Sequence, residues 1–560
     1  MRQSPWIVLI ATLLVLRPLP AATSDPTSVG DYYDELYSAP GQVRPHYAAV
    51  HSVYRQMTPA QVQEFVDQSK AKHLFNGDNS LDPLPRLLTR TEFDELKRGV
   101  EQRGNALRLF LQDYFSGRKT YERSGVIPEP VVRRIVGRAG ERGFAGLVKP
   151  DQVSFIYGPD IVRAKNGKWY VIEDNPGFVG GVGDLKVARK ALLELQPKYR
   201  EVLKPRSDPD RFYSQLVRSY RERAVPHGGK VVLYMVPPYP DNEDSRMARI
   251  FKDLGVEVVT PGQKRLVVKP DGVYLRKSGT PEATERVGFL FLNGEHKWID
   301  VTHPAAESSA RIFEAMALLE EDDLKPRARR RIEAALVPLE RTGEPDQVRL
   351  KQALARSGYV DGVAELRASS PPGLLQAILD GKVAANYAPG LDFIGDKEFN
   401  TYVDDLVRFY LHVDPILPSL PSLKFTDEHV IDRVFSGGRY RNFVIKKVDG
   451  RGGDGIYIGP KLQESEIPAI LARVRAHPDQ YIAQPFTPLS RLGGSIVDLR
   501  LIADVSPTGT QVSEVPWGRG ISVDGDGKVN LSGNGKEFAV VIVDDPGITE
   551  CTEAGVENRF

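Results

Sequence analysis

Three oxygen-bearing side chains lie at the ends of two predicted β-strands, with the spacing of metal ligands. Asp160 begins the first strand, and Glu173 and Asn175 end the second. Residues two apart on a strand share a face, and the Asn166-Gly167 turn brings Asp160 back toward the other two. Hard oxygen ligands of this kind suit Mg²⁺ bound beside phosphate groups. On these residues alone, a cluster at a strand end that faces solvent is the alternative interpretation.

A glycine-rich loop between two β-type runs is the strongest local signal in the chain. Residues 443–459 read FVIKKVDGRGGDGIYIG, with Lys446 ahead of the glycines. Glycines let backbone N–H groups approach phosphate oxygens, and the lysine adds a compact positive charge. The loop leads into a strand, whereas Walker loops and dinucleotide fingerprints lead into a helix. The pattern predicts a phosphate-binding loop of another type; a flexible hairpin tip or a calcium-binding repeat, which would need tandem copies, are the alternatives.

Together these residues resemble the ATP-grasp superfamily. That family places an acid about thirteen residues before a Glu-x-Asn motif, as Asp160 precedes Glu173 here, and carries Lys-x-x-x-Gly-x-Gly-Gly-x-Gly over the nucleotide, as after Lys446. Ordinary members have the Glu-x-Asn strand after the phosphate loop, whereas this chain has it before, so the order resembles the circularly permuted branch. The resemblance implies an α/β (α+β) fold: a circularly permuted ATP-grasp with an inserted Rossmann-like α/β domain and a helical N-terminal segment.

The resemblance also implies a role for each matching residue. Asp160, Glu173 and Asn175 would hold Mg²⁺, and Arg500, in an Asp-x-Arg motif, would join Lys446 as a catalytic residue that stabilises the transferring phosphate. Arg519 and Asn530 stand where the permuted branch places late polar residues. The implied ATP-binding residues are Lys397, Lys446, Gly450, Arg451, Gly452, Gly453, Gly455, Gln484 and Phe486.

Two positions depart from the family pattern. Gln484, in the hinge that reads adenine, stands where many members have Glu. After the Glu-x-Asn block, members commonly have Pro-Ser-Gly, whereas residues 178–181 read Phe-Val-Gly-Gly. The second departure predicts a difference in substrate recognition.

The activity that the resemblance implies is ATP-dependent ligation of a carboxylate to an amine, with ATP and Mg²⁺. The carboxylate attacks the γ-phosphate to give an acyl phosphate, and the amine then displaces phosphate. The expected substrates are small molecules or peptides, with an amino acid or a peptide favoured. Two alternatives stay open: an exported, non-catalytic binding protein on the same fold, and an ATP-grasp kinase.

Periodicity and composition give the boundaries of six parts, and the resemblance implies what each part is. They are a signal peptide (1–22), a helical part with the metal-binding ATP-grasp half (23–215), a Rossmann-like pre-ATP-grasp α/β domain (228–345), a helical connection with the first ATP lysine (346–424), an ATP-binding lobe with the glycine loop and hinge (425–545) and a tail (546–560). Arg2, the apolar run at 7–16 and the small residues up to Thr23 predict an exported, periplasmic protein, and a misassigned start of a cytoplasmic one is the alternative.

Composition excludes several other classes of function. The 560 residues carry 75 Lys and Arg against 74 Asp and Glu, a net charge of +1, so a general nucleic-acid partner is not expected. A single cysteine, Cys551, allows no internal disulfide and no cysteine-based zinc site. The apolar run near the N-terminus is too short to span a bilayer, so no transmembrane span is predicted.

Overall fold

The structure is a computed structural model, and its described part comprises most of the chain. The described residues are 31–235, 242–277, 279–293, 300–320, 324–342, 345–357, 362–450, 453, 455–531 and 535–547. The predicted signal peptide (1–22) and residues 548–560 of the tail lie outside them. No helix in these ranges is both long and apolar enough to cross a membrane.

The first part of the fold, up to residue 224, is mainly helical. Its strands are β1 (Tyr37–Ala39), β2 (Gln42–Val43), β3 (Arg86–Thr89), β4 (Phe155–Tyr157), β5 (Asp160–Arg163) and β6 (Trp169–Glu173). Its helices are α1 (Ala48–Arg55), α2 (Pro59–Lys70), α3 (Arg90–Phe115), α4 (Thr120–Arg123), α5 (Glu129–Arg138), α6 (Val187–Leu195), α7 (Tyr199–Val202) and α8 (Pro209–Ala224).

Helix α3 is the longest helix of the described residues and forms the centre of this part. Thr89 and Glu92 form a capping box that satisfies the free N–H groups of its first turn. Phe93, Leu96 and Val100 recur at three- and four-residue steps and are buried, so one face of the helix packs into the main hydrophobic core.

The second part is an α/β unit. Its strands are β7 (Lys230–Met235), β8 (Glu257–Val259), β9 (Leu266–Lys269), β10 (Gly272–Arg276) and β11 (Ala283–Asn293), and its helices are α9 (Glu243–Asp253), α10 (Pro304–Glu320), α11 (Pro326–Thr342), α12 (Gln347–Ser357) and α13 (Gly362–Ser369). The sheet order is β8-β7-β11-β10-β9. Strand β7 is parallel to both β8 and β11, while β9, β10 and β11 pair antiparallel.

The third part carries most of the remaining strands. They are β12 (Ala384–Ala385), β13 (Leu423–Lys424), β14 (Phe443–Lys447), β15 (Ile456–Ile458), β16 (Tyr481–Pro485), β17 (Arg491–Leu492), β18 (Ser495–Arg500), β19 (Ala503–Ser506), β20 (Gly509–Val512), β21 (Trp517–Ser522), β22 (Lys536–Phe538) and β23 (Val540–Val543). The helices are α14 (Leu374–Leu379), α15 (Lys397–Asn400), α16 (Val403–Leu411), α17 (Glu428–Phe435) and α18 (Ile467–Ala476).

Two sheets of the third part position the candidate site. One has the order β13-β16-β14-β15 and carries the glycine loop between β14 and β15. The other has the order β22-β21-β18-β5-β6, so the early hairpin β5–β6 completes a sheet begun by strands more than 300 residues later. The fold is therefore a mixed α/β fold, as the sequence predicts, and the first and last thirds of the chain share one sheet.

Candidate active site

The hairpin β5–β6 brings the three predicted metal ligands to one end of its sheet. Asp160 and Glu173 are paired across the two antiparallel strands, so their side chains leave the sheet on the same face. Beyond the pair, the backbone N–H of Gly158 donates to the Asn175 carbonyl (2.9 Å), and Asn175 Nδ2 donates to the Gly158 carbonyl (3.1 Å). These bonds hold Asn175 beside the acids and leave its Oδ1 as an acceptor.

Asp160 lies buried between two arginines. Its Oδ1 accepts a hydrogen bond from Arg500 Nε (2.8 Å) and lies 2.9 Å from Arg519 Nη2. Burial opposes ionisation, but the two guanidinium groups outweigh it and lower the pKa of Asp160 to about 2. Arg519 is fixed in turn by both carboxylate oxygens of Asp498, at 2.9 and 2.7 Å. Asp160 therefore keeps its negative charge throughout the physiological pH range.

The glycine loop has the strand–loop–strand form that its sequence predicts. Strands β14 and β15 pair antiparallel on either side of it. Gly453 and Gly455 have φ angles of +92° and +64°, which residues with a Cβ rarely adopt, so glycine is required at these two turns. Arg451 and Gly452, two of the predicted ATP-binding residues, lie outside the described residues.

Lys446, at the end of β14, is buried among charged groups. Burial lowers the pKa of its ammonium group to about 8, with the nearby Lys397 lowering it further and the carboxylates of Glu173 and Asp160 raising it. An ammonium group in this position gains most from a further anion, since burial has already removed the water that would compete for it.

Lys397 connects the acidic hairpin to the glycine loop. Its Nζ donates to Glu173 Oε1 at 2.9 Å and also to the carbonyl of Gly450, while its backbone N–H donates to the Val448 carbonyl. The short helix α15 begins at Lys397, with the Asp396 carboxylate as its N-cap. Segments that lie more than 200 residues apart in the chain are thus joined by one buried ammonium group.

The predicted hinge is strand β16 and the residue after it. Gln484 is buried and donates from Nε2 to Ser422 Oγ (3.0 Å), while its Oε1 accepts no hydrogen bond from the described residues. An amide oxygen can accept from an amino group such as that of adenine. The backbone N–H of Phe486 donates to the Asn442 carbonyl at 2.8 Å, which leaves the ring as the part of this residue open to a ligand.

One cavity of about 620 Å³ brings most of the predicted site residues together. This volume falls in the ordinary range of small-molecule sites. The predicted residues in its wall are Asp160, Glu173, Asn175, Lys446, Gly450, Gly453, Gln484, Phe486 and Arg500, together with Arg519 and Asn530. Lys397 and Gly455 are not in the wall: Lys397 lies just behind it, bonded to Glu173 and Gly450.

Family models match two stretches that make up more than half of the chain. "A circularly permuted ATPgrasp" matches residues 85–316, and "Circularly permuted ATP-grasp type 2" matches residues 361–511. The chain belongs to the circularly permuted ATP-grasp family. Family membership confirms the resemblance seen in the sequence and makes the protein an ATP-dependent ligase of the class that forms C–N bonds.

The relatives of this ATP-grasp protein cover most of its length. An uncharacterised protein of Synechocystis sp. is 26% identical over 84% of this chain and 86% of its own. A candidate glutamate–cysteine ligase of Frankia alni is 27% identical over 82% of this chain but only 47% of its own length. Among solved structures, a glutathione synthetase-like effector from Globodera pallida has a TM-score of 0.46 and 10% identity, covering 86% of this chain and 96% of the effector.

The proposed metal ligands of the ATP-grasp site keep oxygens available for a cation. Asp160 Oδ2, Glu173 Oε2 and Asn175 Oδ1 accept no hydrogen bond from the described residues, while the other oxygen of each carboxylate is held by a cationic side chain. Two carboxylates and an amide suit Mg²⁺, which completes its shell with water and phosphate oxygens. The described residues contain no cluster of three or more His, Cys, Asp or Glu side chains arranged for a metal.

Sequence reasoning assigned no role to several charged side chains that support this ATP-grasp site. Asp174, between Glu173 and Asn175, points into the core and pairs with Arg103 on α3, with Nη2–Oδ2 at 2.7 Å and Nε–Oδ1 at 3.2 Å. Arg138 lines the cavity and bonds Asp396. These partners lie 71 and 258 residues apart, and no local pattern links them.

Proposed function

We propose that this protein is a carboxylate–amine ligase that joins an amino acid or peptide to an amine through an acyl phosphate, using Mg-ATP. The observation that carries the proposal is the meeting of Lys446, Arg500 and the acidic pair Asp160 and Glu173 in the wall of one cavity. The cavity wall thus carries a cationic group that can bind phosphate, oxygen atoms that can bind a metal, and an arginine next to the two acids.

The two lysines suit the α- and β-phosphates of ATP. Lys446 lies at the edge of the glycine loop, and Lys397 bonds the Gly450 carbonyl at the start of that loop. Their charges favour the phosphates because both groups are already buried. Mg²⁺ held at Asp160, Glu173 and Asn175 supplies charge neutralisation of the phosphate oxygens.

In this proposal, Arg500 acts where phosphate is transferred. Its Nε is bonded to Asp160 and its Nη1 to the Gly180 carbonyl (3.3 Å), whereas its Nη2 donates no hydrogen bond to a described residue. The planar guanidinium group of Arg500 is thus held in a fixed orientation, and its Nη2 can still donate to an anionic oxygen. In the proposed reaction, a carboxylate oxygen bonds to the γ-phosphorus and ADP leaves; the amine nitrogen then bonds to the carbonyl carbon, phosphate leaves, and the amine loses a proton.

The test measures ADP release by the full chain with Mg-ATP, amino acids and dipeptides as acids, and hydroxylamine as a general amine. We expect ADP release that depends on the acid and yields a hydroxamate. Glu173→Gln, which keeps an acceptor for Lys397, and Lys446→Met should each lower turnover by about a hundredfold or more. Lys190→Met is the matched control, since the Lys190 side chain, within α6, is 75% exposed and does not line the cavity.

Three results contradict the ligase. Turnover retained in both Glu173→Gln and Lys446→Met removes the roles proposed for these residues. A phosphorylated acid that persists with the amine present indicates a kinase. Absence of both ADP release and thermal stabilisation by Mg-ATP indicates a binding protein without catalysis.

A further inference from the structure

Two phenylalanines of the described chain are strongly exposed, and both lie in the wall of the same cavity. Phe486 is 38% exposed and belongs to the predicted hinge, while Phe178 is 50% exposed and follows the Glu173–Asn175 block. No other described phenylalanine is this exposed. A single exposed apolar side chain is ordinary, but a pair in the wall of one cavity indicates apolar contact with what binds there. The adenine ring accounts for Phe486, whereas Phe178 has no counterpart on the nucleotide.

The residues that follow Phe178 lie beside the arginine proposed to act at the γ-phosphate. Gly180, two residues later, accepts a hydrogen bond from Arg500 Nη1. Gly158 is packed against both Val179 and the Arg500 side chain, so the segment from Phe178 to Gly180 runs along Arg500. A carboxylate that bonds the free Nη2 of Arg500 is therefore bound next to the segment that carries Phe178, in the cavity that both residues line.

The helix α10 supplies further apolar groups to this wall. Phe313, Met316 and Ala317 line the cavity, in the i, i+3, i+4 pattern of one helix face. Helix α10 packs on the end of α5, where Ser309 Oγ donates to the Ala139 carbonyl (3.4 Å).

The link from α10 to the phosphate end of the cavity runs through Arg138. Arg138 precedes Ala139 and bonds Asp396 (2.9 Å), the residue before Lys397. The apolar face of α10 thus lies toward the lysine side of the cavity. Arg138 also bonds Glu398 (2.8 Å), so its charge is already balanced by two acids and is not available to an acidic substituent.

We propose that the acid substrate carries an apolar side chain, aromatic or aliphatic, which docks between Phe178 and the α10 side chains Phe313 and Met316 while its carboxylate meets Arg500. This inference rests on the proposed ligase function. The apolar wall favours the side chain by burial, and Arg138, the charged group next to α10, is already paired with two acids. Phe178 is then a specificity-determining residue, at the position where the chain departs from the family's Pro-Ser-Gly.

The experiment uses the full chain, Mg-ATP, hydroxylamine and four acids: N-acetyl-phenylalanine, N-acetyl-leucine, N-acetyl-serine and N-acetyl-glutamate. We expect kcat/KM for the two apolar acids to exceed that for the two polar acids about tenfold or more, which is the discrimination an apolar pocket supplies. Phe178→Ser should remove most of this preference and leave the KM for ATP unchanged. Val413→Ser is the matched control, because Val413 is equally exposed (51%) and does not line the cavity.

Binding of the same four acids to the ADP- and Mg²⁺-saturated protein, measured by calorimetry, separates this inference from the ligase proposal. Tighter binding of the apolar acids, lost in Phe178→Ser, supports the apolar site even if no acid releases ADP, in which case the ligase proposal alone fails. Equal binding of the four acids, or a preference that survives in Phe178→Ser, overturns the apolar site whether or not ADP is released.

Discussion

The buried ammonium group of Lys446 predicts a specific pH dependence of nucleotide binding. Its pKa is lowered to about 8 by burial, and Glu173, Asp160 and Lys397 are the charged groups that act on it. An anionic phosphate beside Lys446 favours the protonated form, so nucleotide binding raises this pKa and takes up a proton. The affinity for nucleotide is therefore highest at pH values well below 8, and it falls as the pH rises through the pKa of Lys446 in the free protein.

The size of the effect follows from that pKa. At about pH 7 roughly nine in ten Lys446 side chains are protonated, and at about pH 9 roughly one in ten are. If the phosphate keeps Lys446 protonated over this range, the dissociation constant rises about tenfold between about pH 7 and about pH 9, which equals about 1.4 kcal/mol.

The assay is calorimetric titration with Mg²⁺ and a non-hydrolysable ATP analogue at constant ionic strength. Titration in two buffers of different ionisation enthalpy counts the protons taken up. Lys446→Arg should flatten the pH dependence, because a guanidinium group stays charged throughout, whereas the exposed control Lys190→Arg should keep it. A constant affinity in the native protein, or the same slope in Lys446→Arg, would refute this account of the site.

Two further substitutions test other contacts. Arg500→Lys should lower kcat about tenfold or more and change ATP affinity little, since lysine lacks the planar fork that bonds Asp160 through Nε and holds Nη2 in a fixed direction; equal losses in both would point to a role in nucleotide binding alone. Asp174→Asn should leave the buried guanidinium group of Arg103 without its closest carboxylate and lower the free energy of unfolding by about 3 kcal/mol. Urea denaturation measures this change, with the exposed Asp405→Asn as the control. An unchanged denaturation midpoint would show that the Arg103–Asp174 pair adds nothing to stability.

Local geometry was enough to predict the parts of the site that lie on single elements. The hairpin places Asp160 opposite Glu173, while Asn175, which the sequence predicts on the same strand, lies beyond its end and is held beside the acids by its bonds to Gly158. The glycine loop is likewise local, because Lys446 and the glycines stand on one hairpin. In each case a short stretch of backbone fixes the relative positions of the residues, so the sequence is enough to predict them.

The contacts that assemble these elements could not be predicted in the same way. Arg500 meets Asp160 across 340 residues, and Lys397 meets Glu173 across 224. Sequence spacing carries no distance information over such lengths, and the family resemblance supplied the expectation that these segments converge. It assigned no contact to Arg103, whose partner Asp174 lies at the variable position of Glu-x-Asn and 71 residues away in the chain.

The permuted order of the chain is compatible with an intact site because a sheet is defined by which strands pair in space, not by their order in the chain. Strand β5 pairs with β18 through Asp160 and Arg500, and these ladder bonds do not depend on which strand comes first in the chain. Lengthening the connection between two paired strands tenfold costs only about 2 kcal/mol of loop-closure entropy. The ion pairs of Asp160 with Arg500 and Arg519, both buried in the finished sheet, form only when the early hairpin has docked. Chain order can therefore change between branches of the fold while the charges that face the nucleotide keep their partners.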